Sequence, residues 1–212
     1  MDDVLAHTKT WEEHLKALRG FFKRVRDAKL TLKPRKCQIG FDKLDFLGYT
    51  LSGDKIKPME EAVNKIKEMP RPKNKKQVRS FLGAVNYYRK FIPDCAVKMK
   101  CLTELTKKNA KMSVDWSDEL EESFSSLKVA LSEAPILKLP NVEEEFVVRT
   151  DASDVAVGCV LMQSHEGVLH PVAYASKRLT DRERKYSTEE RECLAIVWGY
   201  RSLIDICTAR NS

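Results

Sequence analysis

A proline-bounded stretch constrains the fold of this chain more than any other feature. Residues 69–93 read MPRPKNKKQVRSFLGAVNYYRKFIP. Pro70 and Pro72 exclude a helix before Asn74, because proline lacks a backbone donor and its ring clashes in a helix interior. Asn74 is itself a favourable N-cap residue. The stretch therefore predicts a helix that begins after Asn74 and that Pro93 ends.

The predicted helix has an apolar face and a separate polar face. The apolar face consists of Val78, Phe81, Leu82, Val85 and Tyr88, and the polar face of Arg79, Gly83, Asn86, Tyr87 and Lys90. Glycine in a helix interior costs about 1 kcal/mol relative to alanine. The missing side chain at Gly83 would let a ligand approach the backbone, while arginine grips phosphate and an aromatic ring stacks on a base. The alternative is a polar outer face on a core helix.

Charge is divided unevenly along the 212 residues. Residues 1–110 hold 26 Lys and Arg against 13 Asp and Glu, a balance of +13, whereas residues 111–212 hold 12 against 18, a balance of −6. A basic half points to a polyanionic partner, and a solvated basic surface is the alternative. The hydrophobic content of 42% indicates a folded protein with one large or two small domains rather than a disordered chain.

The six cysteines do not have the pattern of a metal site. They lie at positions 37, 95, 101, 159, 193 and 207, without a C-x-x-C pair or a histidine at ligand spacing, which argues against zinc. Their scatter predicts reduced thiols, mostly buried, in a cytosolic or nuclear compartment. No apolar run approaches the roughly 20 residues that span a bilayer, and no signal peptide is visible, so we expect no membrane partner.

A capping box predicts a helix near the start of the chain. Thr10 and Glu13 have the spacing in which each side chain satisfies a backbone donor of the first turn. The apolar residues of this helix recur at helical spacing and predict a core face of Trp11, Leu15, Leu18, Phe22 and Val25. Residues 3–7, which precede the helix, predict a short strand.

Strands and one more helix are predicted between this helix and a domain boundary near residue 140. Residues 30–40 and 43–53 predict two strands around a turn at Gly40. A helix bounded by Pro135 comes next, with a buried stripe of Trp116, Leu120, Phe124, Leu127 and Leu131.

The last segment predicts three strands and a helix. The strands are EFVVRTD, DVAVGCVLMQ and HPVAYASKRL, and Ser187 with Glu190 caps the helix STEERECLAIVWGYRSL. Asp151 ends the first of these strands. Glu192 is predicted to share a helix face with Ala195, Ile196 and Gly199.

Two pairs of acids have a pattern that suits a divalent metal. Asp2 and Asp3 precede an apolar run, and Asp151 at a strand end is placed to share a metal with Glu192 on the following helix. Mg²⁺ prefers carboxylate oxygen, and two such ions clamp the attacking and leaving oxygens of a phosphoryl transfer. A frayed N-terminus for the first pair and surface solvation for the second are the alternatives.

Several segments, in order, resemble the reverse transcriptase–RNase H part of gypsy-class LTR retrotransposon polyproteins, from Met1 to about Arg201. The polymerase motif Tyr-x-Asp-Asp and the segment directly after it resemble MDDVLAHTKTWEEHL. The end of the palm and the primer grip resemble LKPRKC and FLGYTLSGDKIKP. The thumb resembles RPKNKKQVRSFLGAVNYYRKFIP. Five later segments resemble the connection and the opening of RNase H. They are VDWSDELEESFSSLK, APIL, RTDASDVAVGCVLMQ, HPVAYASKRL and YSTEERECLAIVWGYR. The motif Tyr would then precede Met1.

The resemblance implies an α+β fold in four segments. Residues 1–55 would form the late palm and primer grip of a reverse transcriptase, and residues 56–110 its helical thumb. Residues 111–140 would form the connection helix and linker. Residues 141–212 would form a truncated RNase H-like domain, the first half of its mixed sheet with a helix.

The resemblance also implies roles for individual residues. Asp2 would bind a catalytic metal with Asp3 in an assisting role, and Asp151 and Glu192 would be the first two acids of the RNase H metal site. The primer grip, which positions the primer end, would consist of Phe46, Leu47, Gly48 and Tyr49. The thumb face that tracks the minor groove of the duplex would carry Arg79, Gly83 and Tyr87, with Asn86 beside them.

The implied parent activity is RNA-directed DNA polymerisation with RNase H cleavage, by two-metal phosphoryl transfer with Mg²⁺ or Mn²⁺. Its partners would be an RNA template, a DNA primer, the RNA–DNA hybrid and the rest of the polyprotein, namely fingers, remaining RNase H and integrase. The expected locations are the cytoplasm or a virus-like particle, or the nucleus.

The chain departs from the family pattern in its acids. A third polymerase carboxylate would lie upstream, and SLIDICTARNS replaces the expected Thr-Asp-His context, so no role is assigned to Asp205. The two-ion sites are then incomplete, and we expect the isolated chain to be inactive in both reactions. A non-catalytic nucleic-acid-binding remnant and a decayed copy are the alternatives.

Overall fold

The structure, a computed structural model, describes residues 3–8 and 10–208, and these ranges contain seven α-helices and seven strands. The helices are α1 (Trp11–Asp27), α2 (Glu60–Lys67), α3 (Lys75–Tyr87), α4 (Cys95–Lys98), α5 (Lys100–Glu104), α6 (Asp118–Ser132) and α7 (Thr188–Thr208). The strands are β1 (Lys43–Phe46), β2 (Tyr49–Ser52), β3 (Lys55–Pro58), β4 (Leu137–Lys138), β5 (Phe146–Ala152), β6 (Ala156–His165) and β7 (Val168–Arg178).

The first sheet is antiparallel, with strand order β1-β2-β3-β4. Tight turns join β1 to β2 and β2 to β3, and antiparallel pairing follows because a two-residue loop reverses the chain. Strand β4 returns from far along the sequence, so that Leu137 pairs with Ile56. Strand β4 is thus an edge strand of the sheet, although five helices separate it from β3 in the sequence.

A helical core packs with this sheet. Val78 and Val85 of α3 are fully buried, and the ring centroid of Phe81 lies 4.6 Å from that of Phe124 on α6. All five residues of the predicted apolar face of α3 are buried, including Tyr88. The predicted face is therefore confirmed.

The second sheet contains β5, β6 and β7, and α7 packs on one of its faces. Gly199 allows this approach, because an added Cβ would lie 3.2 Å from the Cβ of Cys159. The described strands of this sheet are all antiparallel rather than mixed. Short turns join these consecutive strands, and parallel pairing needs a long crossover.

Polar contacts join the N-terminal unit (residues 43–138) to the C-terminal unit (residues 146–208). The Arg89 guanidinium donates to the backbone oxygen of Ser176 at 3.0 Å, and the Ser176 hydroxyl accepts from the Ala96 amide at 2.9 Å. Arg178 on β7 forms an ion pair of 2.7 Å with Glu104 on α5. Strand β7 is thus the element that docks one unit on the other.

The predicted helix starts are confirmed by their caps. Thr10 and Glu13 form both hydrogen bonds of a capping box at the start of α1. The Asn74 side chain accepts from the backbone of Gln77 at 3.0 Å at the start of α3. Ser187 and Glu190 exchange the corresponding bonds before α7.

Other predictions for the first fifty residues are wrong. Residues 3–7 are not a strand, and residues 30–40 contain a 3₁₀ turn at Pro34–Lys36 instead of a strand. Residues 43–53 form two strands rather than one, because Leu47 and Gly48 both take positive φ angles and turn the chain. Helix α3 ends at Tyr87, and a 3₁₀ turn at Arg89–Phe91 separates it from Pro93.

The predicted burial of α1 is also wrong. Of its 17 residues, all of them described, none is buried, and Trp11 is 56% exposed. The cysteines are free thiols as predicted, but of the six only Cys95 and Cys159 are buried. Among the described helices, none is long and apolar enough to cross a membrane.

Candidate nucleic-acid interface

The turn between β1 and β2 is the tip of the candidate interface. Leu47 has φ of 46° and Gly48 has φ of 75°, so both turn residues are left-handed. A two-residue hairpin loop with two positive φ angles matches the twist of its strands. Leucine rarely adopts this conformation, because its Cβ then crowds the backbone. The Leu47 side chain is 48% exposed at the tip, while Phe46 beside it is half-buried.

Two tyrosines at the end of α3 bind this turn. The Tyr87 hydroxyl donates to the backbone oxygen of Leu47, and the Tyr88 hydroxyl donates to that of Gly48 at 3.0 Å. The Tyr49 hydroxyl in turn donates to the backbone oxygen of Tyr87 at 3.2 Å. Helix α3 and the turn are thus joined by three tertiary hydrogen bonds.

Aromatic packing surrounds these bonds. The rings of Tyr49 and Tyr87 are stacked, with centroids 5.3 Å apart and planes 14° apart, and Tyr88 meets Tyr49 edge-on. The Lys90 ammonium lies 4.2 Å from the centroid of the Tyr49 ring. Burial, with the neighbouring Tyr87, raises the pKa of Tyr49, and burial lowers the pKa of Lys90. The Tyr49 hydroxyl therefore stays a protonated donor at neutral pH.

The outer face of α3 leads to this turn. Arg79, Gly83 and Tyr87 recur every four residues and so lie on one side of the helix. All three are exposed, as is Asn86, and a Cβ added at Gly83 would meet no atom within 4 Å. The Arg79 guanidinium donates to the backbone oxygen of Thr106 at 3.1 Å. We call Arg79, Gly83, Asn86, Tyr87 and Leu47 together the α3–turn surface.

The predicted RNase H acids lie on two elements that pack together, Asp151 on β5 and Glu192 on α7. Thr150 lies under α7, close to Gly199. Because side chains alternate across a strand, Asp151 lies on the opposite face, where it lines a cleft of about 200 Å³ with Asp94. Glu192 is half-buried on α7. The regular pairing of β5 with β6 through Asp151 leaves no bulge that would return its side chain to the α7 side.

Only one of the two predicted polymerase acids, Asp3, lies within the described residues. Asp3 is exposed and has no regular secondary structure, and Asp2 lies outside the described residues. Within residues 3–8 and 10–208, no group of three or more His, Cys, Asp or Glu side chains is placed to hold a metal ion. The metal-binding roles of Asp2, Asp3, Asp151 and Glu192 stay predictions.

Sequence reasoning missed the hydroxyl of Tyr88. Its position on the apolar face of α3 predicted a core residue, and the ring is indeed buried. A buried tyrosine usually finds a hydrogen-bond partner for its hydroxyl. Applied to Tyr87 and Tyr88, this rule could have indicated that their hydroxyls bind within the protein. It does not say which backbone oxygen accepts.

Comparison with known proteins identifies the C-terminal part of the chain. Residues 116–210 match the family described as "RNase H-like domain found in reverse transcriptase". Residues 116–210 are therefore a reverse-transcriptase RNase H-like domain. The retrovirus-related Pol polyprotein from transposon 297 of Drosophila melanogaster is 38% identical over 202 residues, 95% of this chain and 19% of that protein. The transposon Tf2-3 polyprotein of Schizosaccharomyces pombe is 34% identical over 198 residues, 93% of this chain and 15% of that protein.

The homologues of this RNase H-like domain and of the segment before it are thus LTR retrotransposon polyproteins, and the predicted relationship is confirmed. The chain spans less than a fifth of the length of the retrotransposon 297 and Tf2-3 polyproteins. A foamy viral protease–reverse transcriptase in complex with double-stranded DNA has a TM-score of 0.85 and 25% identity, covering 96% of this chain and 36% of that one. The foamy viral protease–reverse transcriptase in complex with an RNA/DNA hybrid has a TM-score of 0.83 and 25% identity, covering 96% of this chain and 28% of that one.

Proposed function

We propose that the chain holds the template–primer duplex of an RNA-directed DNA polymerase with RNase H activity. In this proposal, residues 1–55 are the late palm and primer grip and residues 56–110 are the thumb. Residues 111–140 are the connection, which the RNase H-like family match at residues 116–210 also includes in large part, and residues 141–212 are the RNase H-like sheet and helix. The duplex lies across the α3–turn surface, with its minor groove against Gly83 and the primer end at the Leu47–Gly48 turn.

The α3–turn surface is the observation that carries this proposal. It combines an exposed arginine, a helix backbone without a side chain at Gly83, and an aromatic ring beside a hairpin tip. It also lies in the basic half of the chain, whose balance is +13. Both foamy viral relatives described above were solved with a double-stranded nucleic acid bound, which supports a duplex as the partner.

Binding of a labelled DNA duplex, followed by fluorescence anisotropy, tests the proposal. We expect affinity to fall steeply between 50 mM and 200 mM salt, because bound lysines and arginines release counterions from the duplex. Arg79→Gln should weaken binding about uniformly across sequences and reduce the salt slope by about 1. Glutamine retains a donor for the backbone oxygen of Thr106, so the change mainly removes charge.

Arg201→Gln is the matched control, because Arg201 is an exposed arginine of α7 in the C-terminal unit and is not part of the α3–turn surface. It should bind the duplex as the unchanged chain does. Binding that is insensitive to salt, or equal losses for Arg79→Gln and Arg201→Gln, would contradict the proposal.

Mg²⁺ or Mn²⁺ is the proposed cofactor of the parent enzyme, where it would stabilise the charge of phosphoryl transfer. Carboxylate oxygens of Asp151 and Glu192 are of the right chemical type, and Asp151 opens onto a cleft. Within the described residues no group of three or more His, Cys, Asp or Glu side chains is placed to hold an ion, so we derive no catalytic step for this chain. The rest of the polyprotein stays a predicted partner. The cytoplasm, a virus-like particle and the nucleus stay predicted locations.

Catalysis by the isolated chain can be tested directly. We expect no cleavage of an RNA–DNA hybrid in the presence of Mg²⁺, because a two-ion site without its full set of ligands stabilises the transition state poorly. A gel assay with labelled RNA measures this. Cleavage that depends on Mg²⁺ and disappears in Asp151→Asn would show that the chain is active.

A further inference from the structure

The Leu47–Gly48 turn is held by tyrosines that lie forty residues further along the chain. Its two successive backbone oxygens accept from two successive phenols, those of Tyr87 and Tyr88. Tyr49, the next residue after the turn, donates back to the backbone oxygen of Tyr87. Hydrogen bonds therefore run in both directions between residues 47–49 and the end of α3.

The turn is built to receive these hydroxyls. A Cβ at Gly48 would lie 3.0 Å from the Tyr88 hydroxyl and 3.3 Å from the Tyr87 ring, and the φ of 75° also disfavours any other residue. Leu47 keeps a left-handed conformation with φ of 46°, which is unfavourable for leucine and persists where surrounding contacts hold it. The amide of Met59 adds a further bond of 2.9 Å to the Gly48 oxygen.

We propose that Tyr87 and Tyr88 are positioning residues, whose hydroxyls clamp the turn to α3 so that both meet a nucleic-acid duplex as one rigid surface. This inference rests on the proposed function. Without the clamp, the hairpin tip and α3 would have to be ordered separately when the duplex binds. Rigid pre-arrangement removes that cost from the binding free energy.

This role differs from direct stacking of Tyr87 on a base or sugar. Tyr87 is 49% exposed, so its exposed area alone allows either role. The hydrogen bond of its hydroxyl to the Leu47 oxygen and its stacking on Tyr49 are, however, directed into the protein. Phenylalanine separates the two roles, because it keeps the ring and removes only the hydroxyl.

The test uses Tyr87→Phe and Tyr88→Phe in the full 212-residue chain. We expect each to weaken binding of a labelled DNA duplex about 2- to 10-fold, the amount that one hydrogen bond of 0.5–1.5 kcal/mol from a hydroxyl to a backbone oxygen represents. The salt slope should not change, because no phosphate contact is lost. Amide hydrogen exchange of residues 46–50 should become faster, while the melting temperature of the half-exposed Tyr87→Phe stays close to that of the unchanged chain.

Tyr200→Phe is the matched control, since Tyr200 is a 62% exposed tyrosine of α7, and it should change none of these values. Full binding by Tyr87→Phe together with lost binding by Tyr87→Ala would overturn the inference in favour of direct stacking. If binding weakens only in variants whose melting temperature is also lowered, the inference is overturned in favour of a structural role. If the unchanged chain does not bind a duplex, the proposed function fails as well, whereas binding that Tyr87→Phe leaves intact overturns the clamp alone.

Discussion

At the scale of a single residue, Gly83 is a position where helix stability and ligand binding favour different amino acids. It lies in the interior of α3 with open space around its Cα, so alanine there would favour the helix. Nothing in the packing of α3 calls for glycine at this position. A ligand that approaches the helix backbone would account for it.

We predict opposite effects of Gly83→Ala on stability and binding. The free energy of unfolding should rise by about 0.5–1 kcal/mol, because alanine is the better helix former, while duplex affinity should fall. Gly20→Ala in α1 is the matched control, since Gly20 also meets no atom within 4 Å of an added Cβ; it should leave affinity unchanged. Chemical denaturation and anisotropy measure the two quantities, and unchanged affinity for Gly83→Ala would contradict a close approach at this site.

The helices differ in what stabilises them at the scale of the element. Both α1 and α3 begin with a side-chain cap that the sequence predicted. Helix α3 buries its apolar face, whereas no residue of α1, all of which are described, is buried. In proteins most helical stability comes from packing an amphipathic face, so α3 belongs to the cooperative core and α1 does not.

Removing the two caps should therefore have unequal effects. Asn74→Ala should lower the global free energy of unfolding by about 1 kcal/mol, the usual contribution of an N-cap. Thr10→Ala should leave the global value unchanged and only speed amide exchange within α1, which opens locally. Chemical denaturation and hydrogen exchange distinguish the two; equal global losses would show that α1 is part of the core.

The two units are joined by charge and hydrogen bonds at the scale of the whole molecule. Glu104 on α5 pairs with Lys107 beside it and with Arg178 on β7. Hydrogen bonds from Lys107 and then Arg178 lower the pKa of Glu104 from 4.5 to about 2. The carboxylate thus remains charged across most of the acidic range.

This depressed pKa predicts how stability depends on pH. The folded chain holds fewer protons than the unfolded chain between about pH 4.5 and pH 2, so the contribution of Glu104 is present above that window and is lost as the pH falls through it. We expect Glu104→Gln to lower the melting temperature at pH 7 and to flatten its decline between pH 4.5 and 2. Glu61→Gln, whose partner Lys65 lies within α2, should not flatten it; parallel curves for the unchanged chain and Glu104→Gln would contradict the prediction.

Much of this protein was determined by its sequence alone, because the relevant forces are local. Prolines and capping side chains set the start of α3, and the apolar spacing from Val78 to Tyr88 set its buried face. The ordered motifs also predicted the relationship to LTR retrotransposon polyproteins that the comparisons confirm. These features depend on neighbours within a few residues or on a linear order of segments.

Tertiary structure alone decided which residues meet. The turn at Leu47 and Gly48 was hidden in a stretch that predicted one strand. A leucine at positive φ persists where surrounding contacts hold it, and here the distant Tyr87 donates to the Leu47 oxygen. The side of the sheet on which Asp151 lies followed from its register with β6, which no spacing in the sequence specifies. Burial of α1 failed as a prediction for a related reason. An apolar face is buried only where another surface covers it, and that is a property of the whole fold.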